Sequence, residues 1–157
     1  MNSVTRVRRI ASLVFIVAVL AVSGSAAKAD TSQVAQIKTV SGQAEIVRNG
    51  ARSSARVGDP LYEKDTIETG ADGAIGITFI DNTVMSGGPN SQIVIEDYKF
   101  NSSNFKGSML TDMNRGTVSM ISGDIARSTP GAMKVKTPTA ILGVRGTRFV
   151  IEVKDNR

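Results

Sequence analysis

From Asp30 onward, apolar and polar positions alternate in short runs. Ala44 and Ile46 share a face within Gln43–Arg48, and Ile75, Ile77 and Phe79 share one within Ala74–Phe79. The same alternation recurs at Ile93 and Ile95, at Val118 and Met120, at Met133 and Val135, and at Phe149, Ile151 and Val153. A period of two marks strands with one buried face. No run with helical period stands among them, so no helix is expected beyond the N-terminal segment. Turn formers separate the runs: Asn49-Gly50, Gly58-Asp59-Pro60, Gly70-Ala71-Asp72-Gly73, Asp81-Asn82, Gly87-Gly88-Pro89-Asn90, Asn114-Arg115-Gly116, Ser122-Gly123-Asp124 and Ser128-Thr129-Pro130-Gly131. Asn-Gly is a strong hairpin pair, because both central residues of a type I′ turn need positive φ. The polar stretch Asn101–Gly107 reads as the longest exposed loop. Short strands with turns this close predict an all-β fold, either a β-sandwich or a short β-solenoid. Ile67, Leu61, Phe79, Ile93 and Phe149 are the expected core.

The first residues follow a different rule. Arg6, Arg8 and Arg9 precede Ile10–Val22, an apolar stretch of thirteen residues, and Ala27-Lys28-Ala29 then supplies a small-x-small pattern. This is the layout of a secretory signal peptide cleaved after Ala29, with residues 1–29 removed and residues 30–157 kept as one domain. An uncleaved inner-membrane anchor is the alternative, although the apolar core falls short of the ~20 residues a span needs. The protein is therefore expected in the periplasm or outside the cell.

Composition narrows the chemistry. The 157 residues contain no Cys, His or Trp. Zinc-finger sites, thiol nucleophiles, Ser-His-Asp triads and disulfides are thereby excluded. The formal charge of +5 owes four units to the first 29 residues, leaving 15 bases against 14 acids. A balance so near neutral gives no electrostatic footprint for nucleic acid, and none is expected as a partner. Lys134, Lys136, Arg145 and Arg148 read as a solvated strand face. No phosphate-binding glycine motif, calcium loop or other cofactor signature occurs, so no cofactor and no metal are expected.

Seven short motifs stand in an order that resembles the FecR domain family, over about Val34 to Val153. Val40-Ser41-Gly42-Gln43-Ala44 opens the series, and Arg56-Val57-Gly58-Asp59-Pro60-Leu61 follows. Lys64-Asp65-Thr66-Ile67-Glu68-Thr69-Gly70, Asp81-Asn82-Thr83, Pro89-Asn90-Ser91-Gln92-Ile93 and Arg115-Gly116-Thr117-Val118 come next. Val135-Lys136-Thr137-Pro138-Thr139-Ala140 leads into the closing Gly143-Val144-Arg145-Gly146-Thr147-Arg148-Phe149. Gly58, Gly70 and Gly143 are expected to supply turns. Pro89 and Pro138 are expected to fix φ at strand entries. Asp65, Thr69, Ser91, Gly116, Thr137, Gly146 and Thr147 complete the motif positions, mostly with structural work. Arg145 is expected to pair with an internal acid or with backbone carbonyls.

The resemblance implies a periplasmic domain that contacts the signalling domain of an outer-membrane receptor. In such proteins a cytoplasmic segment controls a sigma factor. Here nine residues precede Ile10, too few for that segment, so direct sigma-factor contact is not expected. The family commonly continues with a further strand pair where this sequence stops at Asn156-Arg157, so both a short member and a fragment stay open. The expected function is a non-enzymatic module that binds an envelope protein (a membrane receptor, transporter or signalling protein). The alternative is a module that binds cell-envelope polysaccharide or peptidoglycan, or serves structurally. Tyr98, Phe100 and Phe105 flank the polar loop and would be its sugar-stacking set. An enzyme would need paired carboxylates from Asp59, Glu63, Asp65, Glu68, Glu96 or Asp97, which are expected at turns and solvated strand faces.

Overall fold

The computed structural model describes residues 32–145 and 148–154. The expected signal peptide with Ala27 and Ala29, and the motif residues Gly146 and Thr147, lie outside them. The fold is almost wholly antiparallel β, and one hydrogen-bonded sheet curls into two facing leaves. The first leaf holds β2 (Ala44–Arg48), β3 (Ala51–Ser54), β5 (Thr66–Thr69) and β8 (Gln92–Asn101), with β10 (Met133–Lys136) and β11 (Ile141–Gly143). The second holds β1 (Ala35–Ser41), β4 (Pro60–Leu61), β6 (Ala74–Phe79), β7 (Val84–Gly87) and β12 (Arg148–Val153). Both leaves share β9 (Lys106–Ile121).

Every pairing is antiparallel except that of β9 with β10. That is the pattern of a single, nearly all-antiparallel sheet curled into a half-barrel, within the all-β class that the sequence predicts. The alternating positions face inward as the sequence predicts. Ile67, Leu61, Phe79 and Ile93 are buried, whereas Phe149 is only half-buried against the core.

β9 departs most from the sequence reading. Asn114-Arg115-Gly116 was expected as a turn, yet the strand runs through it for sixteen residues. Before Gly116 the strand pairs with β8, and after it with β7 and β12. Gly116 has φ +93, and a Cβ there would lie 2.3 Å from Ser91 Oγ and 2.4 Å from Ser91 Cα. Only glycine allows both the positive φ and the close approach. The strand bends there without ending.

Three further expectations are corrected. β8 runs to Asn101 and β9 starts at Lys106, so the polar loop shrinks to a four-residue hairpin tip at 102–105. Gly143 sits in β11, not in a turn. Ser122-Gly123-Asp124 opens a short helix, α1 (Asp124–Ser128). Five residues carry no periodicity to read, and α1 is held by tertiary bonds from Asp124 N to Asp81 O and from Ile125 N to the Asp81 carboxylate.

Gly116→Ala is expected to destabilise the fold by about 3 kcal/mol, through left-handed strain and overpacking together. Gly131 has φ +83 but open space around it, so Gly131→Ala isolates the backbone cost at about 1 kcal/mol. Urea unfolding of both variants measures the difference. Equal losses would mean that the approach to Ser91 relaxes freely.

Candidate functional site

The motif residues gather in space at four places. The first is the β9 bend. Thr69 Oγ1 accepts from Ser91 N at 2.8 Å and donates to Gly88 O at 2.7 Å. Ser91 Oγ accepts from Thr117 N and donates to Thr117 O, both at 3.1 Å. Asn90 N, next to Pro89, donates to Gly70 O at 3.0 Å. Thr69, Gly70, Pro89, Ser91 and Gly116, scattered in sequence, thus form one hydrogen-bonded junction between the leaves. Thr69 and Ser91 are buried, so their hydroxyls meet backbone groups that would otherwise be stranded.

The second place surrounds Asp65. The sequence placed this acid on a solvated surface, but it is 1% exposed. Arg48 meets it with two bonds of 2.7 Å, and Tyr62 N donates to the same carboxylate at 2.9 Å. The guanidinium also donates to Pro60 O and lies 4.4 Å from the centre of the Tyr62 ring. A fork-shaped cation suits such a two-bonded pair. Nearby, Gly58 takes a turn, donating from its N–H to Ile37 O.

Asp81 makes the third place, and it is fully buried without a cation. Its carboxylate accepts from Tyr98 OH at 3.1 Å, Thr83 Oγ1 at 2.8 Å, Thr83 N at 3.2 Å and Ile125 N at 3.4 Å. Asp81 N donates back to the Tyr98 hydroxyl at 3.0 Å. Burial, reinforced by the charge of Asp81, pushes the Tyr98 hydroxyl far above the ordinary tyrosine range. Tyr98 also stacks on Phe79, with centroids 5.5 Å apart. It therefore offers no face to a sugar. Phe105 is exposed and Phe100 half-buried, with ring centroids 6.5 Å apart, so only these two remain of the expected aromatic set.

The fourth place is a cleft. β7 and β8 flank β9 on one side, and β10 and β12 on the other. β11 extends the leaf beyond β10, while β12 pairs with β9 alone among the described residues. Between them lie two adjoining hollows of about 330 and 530 Å³. Leu142 and Ile151 line both. Val144, Arg145, Arg148 and Phe149 line the first, and Thr137, Pro138, Glu152 and Lys154 the second. Thr137 closes the β10–β11 turn, its Oγ1 donating to Ala140 O and accepting from Ala140 N. Pro138 lies in that turn. Arg145, expected to pair with an internal acid or with backbone carbonyls, is exposed and has no hydrogen bond or ion pair among the described residues. Exposed Ile141 and Val150 stand on the two edges. The basic cluster divides, since Lys136 pairs with Asp112 at 2.6 Å while Arg145 and Arg148 face the cleft.

Of the remaining candidate carboxylates, Glu63 has no hydrogen bond or ion pair among the described residues, and the others are engaged in structural contacts. Asp59 accepts from Arg56 N, Glu96 pairs with Lys64, and Asp97 with Lys99 and Ser108. Arg52 bridges Glu45 and Glu68, and Gln92 donates to Glu68. Among the described residues, no group of three or more carboxylates could hold a metal ion, and no helix is long and apolar enough to cross a membrane.

This geometry defines a curled antiparallel β module whose concavity lies between β11 and β12, each of which pairs with one neighbour among the described residues. A family model described as FecR protein matches residues 65–157, and the chain belongs to that family. No curated protein and no solved structure matches it.

Two outcomes follow for the buried carboxylate and the surface one. Asp81→Ala should cost about 3 kcal/mol, because several buried donors lose their acceptor, and Tyr98→Phe about 1 kcal/mol. The double variant should cost less than the sum in urea unfolding, since the two groups share one network. Additive losses would show that they act separately. Arg52, then Gln92, lowers the Glu68 carboxyl below its ordinary 4.5. The stability that Glu68 adds is therefore complete above pH 4.5 and is lost as pH falls through its lowered value. Glu68→Gln should flatten the acid limb of the stability–pH curve, less so in 1 M salt because Arg52 is exposed.

Proposed function

We propose that this FecR domain is a non-enzymatic, exported module that binds another envelope protein and so takes part in envelope signalling or its regulation. Family membership supports the coarse role. The observation that carries the finer reading is the cleft between β11 and β12. It gathers Thr137, Pro138, Arg145 and Phe149 from the closing motifs around an apolar floor, with exposed Ile141, Leu142 and Val150 beside it. Apolar surface rimmed by charge is a common mark of a protein-interaction site. Unpaired strand edges add backbone donors and acceptors to such a surface. Asp59, Asp65, Glu68, Glu96 and Asp97 are occupied by structural partners, which supports binding over turnover. The glycan alternative keeps only Phe100 and Phe105.

The test is crosslinking of the C-terminally tagged chain in intact cells, followed by identification of what co-purifies from the envelope. One dominant receptor, transporter or signalling protein is expected. The same sample gives the intact mass, which should match cleavage after Ala29. Recovery with murein and no stoichiometric protein would transfer the reading to the glycan module. Partners from the cytoplasm alone would overturn it.

A further inference from the structure

The two leaves differ on their outward faces. The first leaf turns Glu45, Glu68, Asp112, Lys134 and Lys136 outward, the mixed charges usual on a sheet face that meets water. On the second leaf, β6, β7 and the last five residues of β9 turn no charged side chain outward. Thr78 pairs with Val84 and Val84 with Ile121 in one row, and Gly76 with Ser86 and Ser86 with Ser119 in the next. These positions alternate with the buried Ile75, Ile77, Met85, Val118 and Met120, so they face away from the core. Val84 is exposed, as is Val150, which stands opposite Ser119 on β12. Exposed apolar side chains on a face without charge mark an interaction surface.

Charge enters these rows at β12. Arg148 ends the first row opposite Ile121, Val150 ends the middle row, and Glu152 stands opposite Thr117. Arg148 and Glu152, which also border the cleft, are exposed and have no ion pair among the described residues. The face is thus positive at one end of β12, negative at the other and uncharged along the middle row. A two-fold axis along that middle row turns each strand end for end. It sets Arg148 of one copy against Glu152 of the other, twice, and brings Gly76, Ser86 and Ser119 against their own equivalents, where small side chains allow close approach. An axis along β12 would set like charges together, and one along a central strand would leave both charges unmatched. A single added segment would cover one strand, whereas the uncharged face is three strands wide. A sheet fits it, and this chain carries a sheet with the matching reversed charges.

We infer that the outer face of the second leaf is the interface of a two-fold dimer, with a second copy of this chain as its occupant. The two faces pack sheet on sheet with their strands nearly aligned, the same patch serving both copies. Val84, Ile121 and Val150 are covered in that arrangement, and the two Arg148–Glu152 contacts fix its register. The dimer is independent of the envelope partner proposed above.

Sedimentation equilibrium of the full chain tests this, and a dimer is expected. Arg148→Glu sets acid against acid at both contacts, and Glu152→Arg sets base against base. Each should weaken the dimer about tenfold or more. An equal mixture of these two variants should dimerise as the parent chain does, because both contacts of the mixed pair again join opposite charges. That recovery separates recognition from misfolding, which mixing cannot repair. Ser119→Lys places a charge on the axis and should leave monomer with an unchanged circular dichroism spectrum. A monomeric parent chain would overturn the inference, whatever envelope protein is captured in cells. So would a dimer indifferent to Ser119→Lys, or a mixture no tighter than its two components.

Discussion

The fold depends on one strand serving two leaves. β9 pairs with β8 and β10 before Gly116 and with β7 and β12 after it. A strand cannot change leaves without bending, and the bend interrupts the regular ladder. Gly116 accepts the needed φ, and the hydroxyls of Thr69 and Ser91 bond the backbone groups that the break releases. The bend therefore keeps its groups bonded while the two apolar faces close on each other. Among the described residues, nothing else joins the leaves through a continuous ladder.

The buried polar groups follow the same economy of partners. Asp65 has a forked cation and Asp81 has four donors in place of one. Both solutions satisfy a buried carboxylate, and both tie loops to strands. Asp65 ties the β2 end to the β4–β5 connection, and Asp81 ties the β6–β7 turn to α1 and β8. Thr111 Oγ1, buried and without a hydrogen bond, is the exception among the described residues, at a cost of about 1–3 kcal/mol.

The satisfied interior contrasts with the open side. There, among the described residues, Arg145, Arg148 and Glu152 have no ion pair, and β11 and β12 each pair with one neighbour. Elsewhere each leaf manages its surface with cross-strand pairs such as Arg52 with Glu45 and Glu68. Family motif residues divide between these settings. Thr69, Ser91 and Gly116 build the junction that holds the leaves, and Arg145 and Phe149 line the cleft that the leaves leave open. The earlier motifs thus build the junction between the leaves, and the closing ones line the cleft.

The sequence by itself determined the all-β class, the inward positions of most strands, the turn at Asn49-Gly50 and the family. Alternation is a local property, because successive side chains point to opposite faces whatever the strand pairs with. Pairing is not local. Only the tertiary structure decided that Asn114-Arg115-Gly116 is a bend, since its continuation depends on Ser91 approaching from another strand. It also decided that Asp65 meets Arg48, that Tyr98 is core rather than loop, and that Arg145 is exposed beside the cleft. Each of these rests on contacts between residues far apart in the chain, and burial or pairing at such a position is set by the partner that the fold brings to it.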